Sequence, residues 1–433
     1  MVDASPPSNL PVDWSLLPAT ASMGKRGELT IGGCSVETLT EQFGTPLFIY
    51  DEAHLRSRCR EAVEAFGPDV AYASKAFLCT AMAKLAYEEG MRIDVSTAGE
   101  LHVALAAGVP GDRLVLHGNN KSVEELTMAL DAGVGRIIVD SEDEIDRLEA
   151  LAAQRQVTIA VWIRITPGVH AHTHAFISTG QEDSKFGFSV NSGAAQRVVD
   201  RLSTSTALEL VGIHAHLGSQ VFDLENFAEA AKVVGRFFVP LGLAELCLGG
   251  GLGEAYVNGE QTQSLFAWAE ATRNALREVG VSDEVSLSAE PGRSIVARAG
   301  LTAYTVGTIK ELLGLRTYVS VDGGMSDNPR PVLYGSGYET MLARAPQAER
   351  PRTIRLVGKH CESGDVLVTQ GSVPQDLSVG DVLITPVTGA YGYAMASNYN
   401  KVPRPAVVFV RDGLARLVVR REQLSDLLTL DVG

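Results

Sequence analysis

Residues 69–100 read DVAYASKAFLCTAMAKLAYEEGMRIDVSTAGE, a short β-rich run, an amphipathic stretch closed by a glycine, and a second short run. VAYAS (70–74) and RIDVS (92–96) have strand character, and FLCTAMAKLAYEEG (77–90) carries apolar residues at helical spacing with Gly90 where a helix C-terminus favours glycine. The same strand-then-helix unit recurs downstream. RLVLHG, RIIVDS, IAVWIRI, LVGIHAH, ELCLGG and VSLSAE follow in order, separated by helical stretches such as SVEELTMALDAG and EDEIDRLEALAAQR. Eight such units predict a (β/α)8 barrel, whereas an open doubly wound sheet would show fewer units and one dominant glycine fingerprint.

Beyond residue 300 the pattern turns to short alternating runs (TAYTVGTIK, TYVSVDGG, TIRLVGK, VLITPV, AVVFV, ARLVVR) with Gly, Pro and Asp turns and little helix until SDLLTL. That predicts a C-terminal antiparallel β domain over 301–433, a barrel over 46–300, and an N-terminal segment, 1–45, joining the β domain.

Bulk properties exclude several classes of function. A formal charge of -15 and a pI near 5.1 argue against a nucleic-acid or anionic-membrane partner, which needs a basic face, so the expected partner is a small molecule received by local Arg and Lys residues. Five widely spaced cysteines with no CxxC pair fit neither a disulfide framework nor a zinc ribbon. The opening MVDASPPSNLPVDWSLLP has no basic and apolar export signal. A reducing cytoplasm is the expected location.

Barrel enzymes carry their chemistry on loops after the C-terminal strand ends, and there this sequence is unusual: YASKA, DVSTAGE, HGNNK, RITPG, HAHLGSQ, GGGLG and EPGR. Lys75, at the end of an apolar strand, must be partly desolvated or reach a polar pocket; a desolvated amine can condense with an aldehyde cofactor. Alone, a snorkelling surface lysine would be the better reading. Gly249–Gly253 lets backbone N–H groups approach an anion on the seventh strand, where barrels often bind phosphate, though it lacks the spacing of a dinucleotide fingerprint. Ser219 could add a hydroxyl or simply cap a helix. His170, His172 and His174, and the pair His214 and His216, suggest a metal, but no further ligands stand at suitable strand ends and none is expected. Alternation puts His214 and His216 on one face, and His216, the nearer to Gly218, is the better placed to stack on a flat ring.

Taken together, YASKA, IDVSTAGE, DSKFGF, HAHLGSQ, LGGGLG, EPGR, DGGMSDNPRPVLY, GKHCESGD and TGAYGYAMASNYN resemble the ornithine/arginine/diaminopimelate decarboxylase family, and within it the diaminopimelate branch. The resemblance runs from about residue 45 to 405 through both predicted domains. It implies a pyridoxal 5'-phosphate (PLP) cofactor carried by Lys75, with His216 stacked on the ring, Ser219, Gly250 and Gly251 on the phosphate, and Glu290 at the ring nitrogen. Asp94, Gly292, Arg293 and Tyr391 complete the implied cofactor set. Glu290 favours decarboxylation, since a carboxylate there keeps the ring protonated as an electron sink, whereas relatives built for racemisation commonly have Arg at that place. The resemblance further implies a homodimer with shared active sites, in which Cys361 and Glu362 enter from the second subunit. Cys361 would return a proton to carbon. Arg293, Arg330, Tyr334 and Tyr391 would bind the substrate, with a guanidinium gripping a carboxylate and Glu362 taking the distal ammonium. Arg330 could equally be a solvated loop residue, and Pro329 and Pro331 beside it depart from the plain family pattern. The implied reaction is decarboxylation of meso-2,6-diaminopimelate to L-lysine and carbon dioxide, the last step of lysine biosynthesis.

Overall fold

The eight expected strands form in chain order and lie side by side in one parallel sheet: β1 (Ala71–Ala73), β2 (Arg92–Val95), β3 (Leu114–Leu116), β4 (Arg136–Val139), β5 (Ile159–Thr166), β6 (Leu208–Ala215), β7 (Glu245–Cys247) and β8 (Ser286–Ser288). The computed structural model describes residues 10–168 and 183–433, so the cluster His170, His172 and His174 lies outside the described residues. The sheet closes on itself. The Ala71 N–H donates to the Ala289 carbonyl at 2.9 Å and the Ala73 N–H to that of Pro291 at 3.2 Å, joining β1 to the chain leaving β8. A doubly wound sheet would leave both edges open.

Helices over Thr80–Glu88, Ala98–Ala106, Val123–Asp131, Glu142–Arg155, Ala194–Ser203, Leu224–Phe238 and Leu265–Glu278 alternate with the strands. Their starts follow local chemistry: Ser122 and Glu125 make a reciprocal capping box, and Thr97, Ser141, Asp223 and Ser264 each accept a first-turn N–H. Among the described residues, no helix is long and apolar enough to cross a membrane.

The barrel interior is layered. Ala71, Val115, Ile138, Trp162 and Cys247, from five different strands, pack into a buried apolar plug. Towards the N-terminal strand ends, Arg92 pairs with Asp69 at 2.8 Å and Arg136 pairs with Glu245, which also accepts the Trp162 indole N–H at 2.6 Å. Towards the C-terminal ends the interior becomes polar. Two residues beyond an inward residue the chain points inward again. His117 follows Val115, Asp140 follows Ile138, and Arg164 follows Trp162, all buried.

This barrel unit comprises the described residues of 58–253 together with 262–294; the second compact unit holds those up to 57, 254–261 and 295–433. In the second unit the strands run Val366–Val373, Arg352–Val357, Arg316–Val321, Gly300–Leu312, Leu47–Asp51, Ala406–Arg411 and Leu414–Val419 across one sheet. Most pairings are antiparallel, as expected, but Leu47–Asp51 runs parallel to Ala406–Arg411, and Arg316–Val321 parallel to Arg352–Val357. Leu47–Asp51 therefore belongs to this sheet, although the sequence boundary at residue 46 would put it in the barrel. All five of its residues are buried, and a continuous apolar run looks the same in a barrel strand and in the middle of a covered sheet. GELTIGG and the residues around it form a separate three-stranded sheet, Ser22–Met23, Leu29–Ile31 and Cys34–Ser35. SDLLTL yields only a 3-10 turn, Asp426–Leu428, with Leu428 and Leu430 exposed, because a run so short has no packed face to pay for its nucleation.

Candidate active site

Each of the eight strands sends a polar or glycine residue to the C-terminal rim of the barrel interior. Lys75 sits in a 3-10 turn, Ser74–Ala76, directly after β1, between buried neighbours but itself exposed. It reaches the open end of the barrel rather than being sealed in the wall. Asp94 on β2 is buried, and burial pushes its carboxyl up to about 6 against the pull of His117 and Lys75.

Glu290, just after β8, is the electrostatic centre. Its Oε2 lies 3.0 Å from His214 Nε2, and its Oε1 lies 3.0 Å from His117 Nε2 and 3.4 Å from Cys247 Sγ, which donates to it. Burial opposes its ionisation, but His117 and His214 outweigh that and hold the carboxyl well below its usual range. Burial likewise pushes the Cys247 thiol up, and the carboxylate adds to the effect.

His216, one residue past β6, is half-buried and accepts the Gly250 N–H on Nδ1 at 3.2 Å. Burial, reinforced by Lys75, holds its imidazole well below the usual range, so it is a neutral ring. The two histidines on one strand face thus divide: His214 is bonded to Glu290, and His216 to the glycine loop.

That loop fits an anion. A Cβ at Gly250 would stand 2.3 Å from the Glu290 carbonyl oxygen, and one at Gly251, whose φ is +121°, 2.6 Å from that of Gly218. Only glycine permits this approach. Alongside, the half-buried Ser219 hydroxyl accepts from Arg293 Nη2 at 2.9 Å, and Arg293 is itself buried. Ser219 caps no helix, since Asp223 caps the one that follows. Gly292 lets the chain pass Ala73, whose Cβ and carbonyl oxygen would be 3.0 Å from any added Cβ. A backbone cradle, a hydroxyl and a guanidinium at one rim, with a lysine and an ionised carboxylate beside them, suit a phosphate-bearing aldehyde with a ring nitrogen.

The remaining predicted residues lie in the second unit. Arg330 opens a short helix, Arg330–Tyr334, and is buried, not a solvated loop residue; Pro329 and Pro331 set its first turn. Its Nη1 donates to Tyr338 Oη at 2.6 Å, and the guanidinium lies 4.0 Å over the Tyr256 ring. Its Nε is buried without a hydrogen-bond partner, and no carboxylate among the described residues pairs with it. Tyr334 closes the helix and is half-buried. Cys361 and Glu362 are exposed on the bend between Arg352–Val357 and Val366–Val373. Asp365 fastens that bend to the Arg330 loop by accepting the Met325 N–H at 2.7 Å and the His360 N–H at 2.9 Å. Tyr391 is half-buried with φ +58°, a strained setting for a side-chain-bearing residue.

Three groups escaped the sequence reading: His117, Arg164 and Cys247. Each stands on the inward face of its strand, and counting in twos from Val115, Trp162 and Glu245 would have found them.

A parallel barrel with this rim defines a PLP-dependent enzyme of the decarboxylase barrel class. The pyridoxal-dependent decarboxylase, pyridoxal-binding domain model matches residues 52–297. Diaminopimelate decarboxylase of Mycobacterium tuberculosis is 46% identical over 439 aligned residues, covering 96% of this chain and 97% of that protein. The Bacillus subtilis enzyme of the same name is 45% identical, with 96% and 98% covered. Among solved structures, diaminopimelate decarboxylase of M. jannaschii in complex with L-lysine superposes with a TM-score of 0.89 at 33% identity, over 96% of this chain and 98% of that one. The chain belongs to the diaminopimelate decarboxylase family, and it is a decarboxylase whose cofactor is PLP.

Proposed function

We propose that the substrate is meso-2,6-diaminopimelate, decarboxylated to L-lysine and carbon dioxide. The observation that carries this reading is Arg330, a buried guanidinium with no carboxylate partner among the described residues and with an Nε that bonds to nothing. A buried unpaired charge is costly, and a substrate carboxylate relieves that cost with bidentate geometry. Diaminopimelate keeps a distal carboxylate after the first is lost; ornithine, lysine and their diamine products have none.

When bound, PLP supplies an electron sink for the pair left behind as carbon dioxide departs. Lys75 would hold the cofactor through its amine. Glu290, ionised between two histidines, would hold a proton at the ring nitrogen. Ser219, Gly250, Gly251 and Arg293 would hold the phosphate, with Gly292 giving the close turn, and His216 would offer the ring a neutral imidazole. Asp94 balances the charge beside Lys75. Arg330 grips the distal carboxylate, Glu362 the distal ammonium, and Tyr334 and Tyr391 shape the pocket. Cys361 returns the proton to the α-carbon. Cys361 and Glu362 act from the partner subunit of a homodimer, for which their exposure on one chain is the supporting observation.

Carbon dioxide release is measured with meso-diaminopimelate, ornithine, lysine and arginine. The expected result is turnover of the first alone, and a kcat/KM about 100-fold lower for Arg330→Gln, the value of a lost charge-assisted bidentate contact of about 3 kcal/mol. Turnover of ornithine or lysine at a comparable rate, unaffected by Arg330→Gln, overturns the assignment.

A further inference from the structure

His117 is absorbed by none of the roles above, yet it is one of the most enclosed groups of the site. It follows β3 directly, only 7% exposed, its backbone N–H fixed to the Val95 carbonyl at 2.8 Å. Its Nε2 lies 3.0 Å from Glu290 Oε1 and 3.7 Å from Asp94 Oδ1, so it stands between two buried carboxylates. Its ring meets that of His214 edge-on, with centroids 4.9 Å apart. Glu290 thus has an imidazole against each oxygen, His214 from β6 in a hydrogen bond and His117 from β3 in an ion-pair contact.

We propose that His117 is a positioning residue for Glu290, wedged between Asp94 and Glu290 so that the Glu290 carboxylate stays ionised and fixed where the cofactor's ring nitrogen needs it. This rests on the reading of Glu290 as the ring-nitrogen partner.

The groups around the cluster come from every neighbouring strand. Lys75 after β1, Asp94 on β2 with Glu100 beyond it, Arg164 on β5, His214 and His216 on β6, Cys247 on β7 and Glu290 after β8 all bear on the cluster of His117, Asp94, His214 and Glu290. Their sum separates the two histidines. Burial drives His214 down to about 4, leaving it neutral as a donor to Glu290. Burial opposes charge on His117 too, but Asp94 and Glu290 overcome it and raise its pKa, Arg164 pulling the other way. One carboxylate thus faces a neutral imidazole and one whose charged form is favoured, an arrangement that pushes neighbouring titrations apart. Without the cation, Asp94 and Glu290 repel each other, and one of them takes up a proton. Because the pKa of His117 is raised, its contribution is complete at low pH and fades as pH rises through its titration.

The test measures the PLP dissociation constant by absorbance from pH 6 to 9 for wild type, His117→Gln, Glu290→Gln and the double variant, with circular dichroism as the check on folding. The expected result is about tenfold weaker binding for His117→Gln near pH 6.5, about 1.4 kcal/mol, a penalty that shrinks as pH rises. In the Glu290→Gln background the His117 substitution has no further effect. Unchanged affinity and pH dependence in His117→Gln, or an effect that simply adds to that of Glu290→Gln, overturns the inference alone. Glu290→Gln binding PLP with wild-type affinity and spectrum overturns the reading of Glu290 beneath it. Should His117→Gln not fold, the imidazole carbon resonance of His117 in cofactor-free wild type decides: titration above 6.5 supports the inference and titration below it refutes it.

Discussion

A residue's type predicts its chemistry only together with its exposure, and Lys75 shows how the two separate. The sequence alone calls for a lysine either partly desolvated or reaching a polar pocket; in the structure Lys75 is exposed in the turn after β1, with its neighbours Ser74 and Ala76 buried. Its reach comes from the turn that carries it, not from burial of the amine. An amine so placed is accessible to an aldehyde, and condensation there needs no rearrangement of the strand. Lys75→Ala is therefore expected to fold normally and to lose covalent cofactor. After incubation with PLP and borohydride, wild type retains about one cofactor per chain on the peptide around residue 75, and the variant retains none, with activity lower by at least about 10²-fold. Covalent label of equal yield in the variant places the attachment on another lysine.

Elements were legible to the extent that their pattern was periodic. The barrel strands and their helices could be read because each strand ends in a turn signal and each helix starts with a cap, as Ser122 with Glu125 shows. Leu47–Asp51 could not be assigned to its sheet, because an unbroken apolar run carries no mark of its neighbours. At the site, the strand-end motifs drew attention to Lys75, the glycine loop and Glu290, whereas His117 and Arg164 look like ordinary polar residues until the inward face of each strand is counted. Lys121, in the same HGNNK segment, was also silent. Its Nζ is buried, 2.8 Å from Glu144 and donating to the carbonyls of Gly118 at 2.6 Å and Ile138 at 2.7 Å. This ties the loop after β3 to β4 and to the helix Glu142–Arg155. Removing one partner leaves the other buried and uncompensated, so Lys121→Met should destabilise the barrel by about 3–5 kcal/mol. Lys121→Met with Glu144→Leu should recover most of that, since the pair as a whole offsets its own desolvation. Urea unfolding followed by tryptophan fluorescence measures both. A double variant no more stable than the single one would show that the two carbonyl bonds, rather than the ion pair, hold the loop.

For the whole molecule the open matter is how many chains complete one site. The barrel unit holds Lys75, the glycine cradle and Glu290 within itself, while Cys361 and Glu362 project from a bend of the other unit and are exposed on a single chain. A thiol that must deliver a proton to carbon works poorly in open solvent, where water competes for it; enclosure by a second chain removes that competition. In the proposed homodimer, two-fold symmetry would make every site a composite, Lys75 from one subunit and Cys361 from the other. The consequence can be measured by mixing. Lys75→Ala and Cys361→Ala are each expected to be nearly inactive as homodimers. When equal amounts are mixed and allowed to exchange subunits, half of the dimers pair one of each, and in those one site receives both missing substitutions and the other receives neither. Activity should return to roughly a quarter of wild type under the statistics of a two-fold dimer. If Cys361 served the barrel of its own chain, every site in the mixture would still lack one group, and activity would stay at the level of the separate variants.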